Sequence, residues 1–479
     1  MSQYVMKMEM PQVPDWEEGE MAEAVGQDLL TYLAPLLVRL EKVLDKRVVR
    51  TFAQTVLAIV RNRDRARCLV QTELGAWLLG ADKARAGAKR LRTLLGKLIW
   101  KSSWIGEWLL EEAERAVAQW EAQGVTPIAA WDGSVLEKHE SAAGEGLCPV
   151  HSSKAARRTR MRKGYYHPPV GRICVPGLQW LGVVFTSRML TQGHPVLAAM
   201  RFWTTRGGHR SWKRDEETRL MRELAARFGR RLIHVFDRGF VGELWVRVCV
   251  VVTNVRFIMR WTGKVHLLDA KGTCRAAWKA VIGKRQGQEQ RVFWNARAHR
   301  LMRLRVAWAP VWHPSHPTHP LFLVVVRGYA EPWYLLTNEA ISSEEDAWQI
   351  ALAYLQRWQI EQVWRFEKSE FGFESVRIWA WEDRLKLLGL ATLAHAFLLH
   401  LLDAGAVQAL VRQWLLHHGC PRPGWHCRLT LLPLSRLRAA LCWLWQHCLP
   451  AWAIPRLRPS LRLKVHGPAT GGVQVSMLA

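Results

Sequence analysis

Three acidic residues could do chemistry together: Asp132, Asp237 and Glu361. They are far apart in the chain, with 237 − 132 = 105 and 361 − 237 = 124. Asp132 closes the apolar run of TPIAAWDGSV, and Asp237 closes that of RLIHVFDRGF, so both read as strand-end acids. Glu361 falls in a helical stretch. Three hard oxygen donors meeting at one point suit Mg²⁺, which prefers oxygen ligands and keeps several waters. A pair of such ions about 4 Å apart activates a water or a 3′-hydroxyl and stabilises the leaving oxygen when a phosphodiester is displaced. Taken singly, each acid has a plainer explanation. An Asp before Gly is a common turn former, and Glu361 lies four residues after Arg357, where helical ion pairs form.

The stretch around Glu361 reads YLQRWQIEQVWRFEK, from Tyr354 to Lys368. On one helix, with Tyr354 at zero, Arg357, Glu361 and Lys368 fall at about 300°, 340° and 320°. One narrow stripe therefore carries a phenol, two cations and a carboxylate. Leu352, Leu355, Val363 and Phe366 take the opposite side as a core-facing set. Upstream, Ser342 or Ser343 caps a helix whose first turn holds Glu344, Glu345 and Asp346. That trio is capping and dipole chemistry. The stripe continues this helix, or lies on a second one after a short break.

Other elements must bring the acids together. TPIAAWDGSV, LQWLGVVFTS and PVLAAMRFWT read as strands, DEETRLMRELAARFG as a helix, RLIHVF as a buried strand, VGELWVRVC as a helix and VRFIMRW as a strand. The order β-β-β-α-β-α-β makes an α/β unit with one sheet. The ends of its first and fourth strands can lie side by side, and Asp132 and Asp237 would then converge. Residues 262–320 break the plan with short strands and WHPSHPTHP, which reads as a polar loop. LFLVVVRG and WYLLTNE resume the strands. VRIWAW reads as a strand-like piece before a long apolar helix, and a helical region rich in Trp, Leu and Arg follows to a loose tail from about Pro459.

Composition narrows the setting. The 479 residues, 49% hydrophobic, exclude general disorder and allow several domains. The net charge of +27 favours a polyanion partner, nucleic acid first. The basic residues are not gathered on one amphipathic helix, which disfavours a membrane surface. No apolar run is long enough to span a bilayer, and the first twenty residues lack the apolar segment of a secretion signal. The nine cysteines form no CxxC pair, so free thiols are expected. His417, His418, Cys420, His426 and Cys427 cluster, but with no usual zinc spacing. Residues 18–122 read as helical, with Lys89, Arg90, Arg92 and Lys97 on a late basic helix suited to DNA. The stretch HSSKAARRTRMRKGYYHPP offers Arg157, Arg158, Arg160, Arg162 and Lys163, with Tyr165 and Tyr166, as a backbone-tracking loop or a solvated one.

The spacing Y-(2)-R-(3)-E-(6)-K of Tyr354, Arg357, Glu361 and Lys368 resembles the signature of the family-four insertion-sequence DDE transposases. Asp237-Arg238-Gly239-Phe240 is similar to that family's D-x-G-[YF] block, the FIMR strand follows it, and WDGSV is similar to the first-acid block. The resemblance covers about 125–400. It implies an RNase H-like core, a mixed sheet flanked by helices, with a β-rich insertion. It implies Asp132, Asp237 and Glu361 as catalytic ligands of two Mg²⁺ or Mn²⁺ ions. Tyr354, Arg357 and Lys368 would hold DNA near the cleavage point, with Arg238 beside them. Trp333, in PWYLLTN, matches a tryptophan that receives a flipped base during hairpin formation; with 27 tryptophans in the chain, a core role is the alternative. The expected domains are 1–122, helical and DNA-binding; 123–261 with 321–400, the RNase H-like catalytic domain; 262–320, the insertion; and 401–479, helical and basic. The implied activity is cut-and-paste transposition on terminal inverted repeats and target DNA, by a homodimer in the DNA complex, in the cytoplasm at a bacterial-type nucleoid. A non-catalytic, domesticated DNA-binding protein and a metal-dependent nuclease without strand transfer are the alternatives.

Overall fold

The computed structural model describes residues 16–138, 143–152, 173–187, 194–282, 287–295, 300–403, 405–420 and 433–454. The leader, the basic loop carrying Arg157, Arg158, Arg160, Arg162 and Lys163, the pair His426–Cys427 and the tail lie outside them.

The sheet is mixed. Its first strands are β1 (Pro127–Glu137), β2 (Cys148–His151), β3 (Cys174–Ser187), β4 (Val196–Trp203), β5 (Ile233–Phe236) and β6 (Arg256–Trp261). β3 is antiparallel to both β1 and β4, while β5 is parallel to β1 and to β6. The order β4-β3-β1-β5-β6, with only its second strand reversed, is that of an RNase H-like core. β2 adds a short edge against β3. Beyond β6 the same sheet continues through β12 (Trp333–Thr337), β11 (His316–Arg327), β10 (Arg300–His313), β7 (His266–Leu268) and β8 (Cys274–Ala276), with β9 (Arg291–Asn295) also on β10.

WHPSHPTHP is a hairpin rather than a polar loop: His313 ends β10, and His316 begins β11. Proline removes a ladder donor and is tolerated where a strand has a free side. Pro317 and Pro320 meet that condition, because β12 pairs with β11 only over Phe322–Val326.

Helices cover both faces. In the N-terminal part are α1 (Glu18–Glu41), α2 (Lys46–Arg61), α3 (Gln71–Leu79), α4 (Ala84–Leu95) and α5 (Ser103–Ala122). α6 (Lys213–Phe228) and α7 (Glu243–Arg247) pack with α5 on one face, against Trp131, Phe236 and Phe257. After the short α8 (Ala277–Ala280), α9 (Glu344–Leu355) packs over Ile128, Ile233, Val235 and Ile258 on the other face. α10 (Trp358–Ser369) lies on that face too, over β1 and β3, and α11 (Trp381–His400) packs behind it. α12 (Ala406–His418) and α13 (Leu434–His447) complete the helical C-terminal region. Val376–Ala380, expected to be strand-like, carries no regular structure.

Buried cations tie these layers by capping orphan helix carbonyls. Arg438, on α13 and fully buried, donates to Ile59 O at 2.8 Å and Val60 O at 3.2 Å, and also to Asn62 O. The same guanidinium donates to Glu370 O, directly after α10. Lys386, on α11 and also fully buried, donates to Leu95 O and Lys97 O at 2.8 Å each. The described cysteines are free thiols. No helix among the described residues is long and apolar enough to cross a membrane.

Candidate active site

Strand alternation and register decide where the two aspartates point. On β1, Ile128 and Ala130 face α9 and α10, so Asp132 and Ser134 share their face. On β5, Ile233 and Val235 face the same way, and so does Asp237. The parallel register Ala130↔Val235 has an offset of 235 − 130 = 105, the same as 237 − 132. Asp132 and Asp237 are therefore level on neighbouring strands. Asp132 is not at a strand end, as its following glycine suggested. β1 pairs with β3 through Glu137, while its pairing with β5 stops at Ala130, so the strand is free only on the side of Asp237.

The turn after β5 is built on Asp237 itself, whose Oδ1 accepts from Gly239 N at 2.8 Å. This turn uses one of the two carboxylate oxygens. Asp132 Oδ1 accepts from Gly133 N at 2.9 Å, and its Oδ2 accepts from Trp364 Nε1 at 3.1 Å.

Glu361 arrives from α10. The capping box of Ser343 and Asp346 starts α9, with hydrogen bonds from Ser342 and then Ser343 holding the Asp346 carboxyl down at about 2. The chain then breaks its helix at Gln356 and Arg357, where three-residue bonds such as Arg357 N to Tyr354 O replace the α-helical ladder. Tyr354 thus lies in the last turn of one helix and Glu361 in the first turn of the next. The polar stripe does not face solvent; it is turned toward the sheet. Gly182, which pairs with Asp132 across β1 and β3, makes this possible. A Cβ at Gly182 would run into the Trp364 indole and touch Ile360, so a glycine there lets α10 lie flat on the strands.

The charges are coupled. Burial first, then the Asp237 charge, push the Asp132 carboxyl up to about 6, and Glu361 adds to the rise. Arg357 and the Trp364 hydrogen bond oppose it. Arg357 is ion-paired with Glu361, and its own pKa is raised despite burial by Tyr354, Glu361 and Asp132. Burial likewise raises the Tyr354 phenol, against the pull of Arg357 and Arg260. The three acids and Arg357 thus share one electrostatic site. Among the described residues no group of three His, Cys, Asp or Glu side chains is close enough to hold a metal ion as it stands. The donor set fits a hard divalent cation: three carboxylates offer oxygen ligands, and the charges of Asp237 and Glu361 already act on Asp132.

The other expected residues fall around this centre. Lys368 Nζ donates to Ser134 Oγ at 2.8 Å and lies 5.9 Å from the Trp180 ring. Trp333, half-buried on β12, stacks on Tyr329 at 4.1 Å and meets Tyr354 edge-on at 5.4 Å. Arg260 lies over Trp333 at 4.9 Å and over Tyr354 at 5.9 Å, its pKa lowered to about 10 chiefly by burial. Arg238 is exposed and pairs with Glu331 at 3.2 Å. Trp364, Gly182, Ser134 and Arg260 were not anticipated. Ser134 could have been found two residues after Asp132 on its strand face, and Trp364 three residues after Glu361 on its helix face. Gly182 and Arg260 needed the register.

Residues 213–397 match the family model described as "Transposase DDE domain". The matched span runs from α6 through α11 and contains Asp237 and Glu361. No curated protein gives a match to the chain. Among solved structures, the cryo-EM structure of a piggyBac transposase synaptic complex with hairpin DNA overlaps at a TM-score of 0.38 and 10% identity, covering 92% of this chain and 82% of that chain. That likeness is too loose to carry a residue correspondence.

Proposed function

We propose that the chain is a DDE transposase of the family-four insertion-sequence type, cutting transposon ends and joining them to target DNA. The observation that carries this reading is that Asp132 and Asp237 share one sheet face under the helix bearing Glu361, with the charges of Asp237 and Glu361 felt at Asp132, in a chain whose 213–397 span matches a transposase DDE domain. Transposase DDE domains work with divalent metal ions. Here Asp132, Asp237 and Glu361 would hold two Mg²⁺ or Mn²⁺, which would supply activation of the attacking oxygen and charge neutralisation at phosphorus.

The chain's own residues orient the DNA. Arg357 and Lys368, with the Tyr354 hydroxyl, grip phosphates beside the acids. Arg238 contacts the DNA backbone as well, and the basic stretch with Arg157, Arg158, Arg160, Arg162 and Lys163 adds further phosphate contacts. Trp333 stacks an unpaired base, exchanging Tyr329 as its face-on partner. Water attacks the phosphodiester at the transposon end, leaving a 3′-hydroxyl and a 5′-phosphate. That hydroxyl attacks the opposite strand to close a hairpin, water reopens it, and the freed 3′-hydroxyl attacks a target phosphodiester. The catalytic domain is 123–261 with 321–400, the insertion 262–320, and 401–479 serves dimerisation or DNA contact. The working form is a homodimer acting on the nucleoid in the cytoplasm.

The test uses duplexes carrying the repeats that flank the gene, with Mg²⁺. Glu361→Gln is expected to bind them within a few-fold of the native protein and to lose cleavage by at least about 10³-fold, as loss of an essential electrostatic group does. Cleavage by the variant at the native rate would overturn the metal-ligand assignment. The second reading is a DNA-binding protein without catalysis. Native protein that binds the repeats and never nicks them in Mg²⁺ or Mn²⁺ would establish that reading. Nicking without joining of a pre-cleaved end to plasmid would leave a nuclease.

A further inference from the structure

A cleft of about 690 Å³ opens between α2, α3 and residues 449–454, which follow α13. α2 holds the third wall by its backbone: Arg50 Nη2 donates to Ile454 O at 2.8 Å, and Gln54 Nε2 donates to Ala453 O at 3.0 Å. Leu57 of α2, Leu79 of α3, Leu449 and Ile454 line the cleft with apolar surface. A volume of this size, with apolar sides and a few polar groups, is what a small-molecule site needs.

Arg61, the last residue of α2, also lines the cleft and is only 9% exposed. A buried cation is normally held by an acid or by several strong acceptors. Arg438 and Lys386 follow that rule, each donating to carbonyls at helix ends. Arg61 does not: no carboxylate among the described residues pairs with it. Its guanidinium lies 4.8 Å from the Trp77 ring centre, and its Nη1 reaches Trp77 O only at 3.5 Å. Its Nε has no partner among the described residues. Burial lowers its pKa to about 10, with only the Cys442 thiol acting the other way. Gln54 lies seven residues earlier on α2, roughly 10 Å along the helix axis. Its buried Oε1 is likewise without a partner among the described residues.

We infer that this cleft binds a small amphipathic carboxylate, with its anionic head on Arg61 and its apolar body along Leu57 toward Gln54. A guanidinium fork matches a carboxylate edge-on and supplies charge-assisted hydrogen bonds to it. The apolar walls give an aliphatic body the surface it needs to leave water. A nucleic-acid strand is the wrong occupant, since its successive phosphates would lie against leucines. A bare anion such as acetate would leave those walls wet. The cleft is separate from the three acids, and the inference stands whether or not the chain cuts DNA.

The experiment is equilibrium dialysis of the full chain against octanoate, 1-octanol or octylammonium at physiological salt. Octanoate is expected to fill one saturable site with a Kd of about 0.1–1 mM, as its small size allows. It should bind at least about 10-fold more tightly than octanol, the difference a charge-assisted hydrogen bond makes. Octylammonium should not bind, and octanoate should raise the melting temperature of the native protein. Arg61→Met keeps an apolar stem and removes the cation, so its octanoate affinity should fall at least about 10-fold, to that of octanol. The variant loses an unpaired buried charge and should melt no lower than the native protein. Ala76→Trp, which fills the cleft from α3, should bind neither octanoate nor octanol. Lys83→Met removes an exposed cation at the rim and should change octanoate affinity less than about threefold. Equal binding of octanoate and octanol by the native protein, native-like octanoate binding by Arg61→Met, an equal loss in Lys83→Met, or no saturation by about 5 mM octanoate would overturn the inference.

Discussion

Replacing Asp132 by Asn should make the metal-free protein more stable, and the gain should depend on pH. In the folded chain burial and the neighbouring Asp237 hold this carboxyl at about 6, against 3.8 unfolded. Its folded pKa is the higher one. Below about pH 4 both states are protonated and the residue costs nothing. As pH rises through 6, the folded state must carry a charge it disfavours, and stability falls. A difference of about two units corresponds to about 3 kcal/mol. Asn removes that cost but accepts only one of the two hydrogen bonds now reaching Asp132, from Gly133 N and Trp364 Nε1, a loss of about 1 kcal/mol. The net gain at pH 8 is about 2 kcal/mol, and at pH 4, where the charge cost has gone, the variant is the less stable protein by about 1 kcal/mol. The assay is urea unfolding of both proteins in EDTA across that range. Addition of 10 mM Mg²⁺ should raise the native protein and leave Asp132→Asn unmoved, because only a ligand bound to the folded state stabilises it. An equal or lower stability of the variant at pH 8, or a difference constant with pH, would refute the electrostatic account of the site.

The other predictions concern the groups that hold this geometry. Trp364→Phe keeps an aromatic side chain but removes the bond to the ionised carboxylate, so the acid limb of DNA nicking should move up by about one pH unit in a pH–rate profile. Gly182→Ala drives a methyl into the Trp364 indole and should cost about 1–3 kcal/mol in urea unfolding; adding Trp364→Phe, which removes the colliding ring edge, should recover most of it. Arg438→Met strands carbonyls of Ile59, Val60, Asn62 and Glu370 and should cost at least about 3 kcal/mol by the same measurement.

The plan of the sheet was legible because its first strands alternate or run apolar in the usual way, and because Asp237 and Gly239 punctuate the end of β5. The three acids could be picked out from residue type, setting and spacing. The break at Gln356 and Arg357 could only be left as an option, since both residues keep right-handed helical angles and no proline or glycine marks it. The side opposite the stripe packs as its residues predict, with Val363 and Phe366 buried in the core, but the stripe itself is covered too. Periodicity separates two faces of a helix, but Arg357, Glu361 and Lys368 face the sheet because that part of the sheet is itself polar, at Asp132 and Ser134. The hairpin at WHPSHPTHP was missed because proline argues against strand unless one knows which side of the strand is free. Trp364 illustrates the remaining limit. Its partner, Asp132, is 232 residues away, and only the register of β1 on β3 brings them together.

Arg438 has a consequence for the order in which the protein comes into being. Asp132, Asp237 and Glu361 are all synthesised before it, with 438 − 361 = 77 residues still to come after the last acid. Until α13 has emerged and docked, the rear end of the Glu361 helix lacks the side chain that fastens it to α2. A nascent chain on the ribosome therefore carries every acidic group of the site without the fastening that keeps the third in place. We expect chains ended at Gly419 to nick plasmid far more slowly than full-length protein. On the proposed function, completion of the polypeptide would then act as a timer, keeping a half-made chain from working on the template that encodes it.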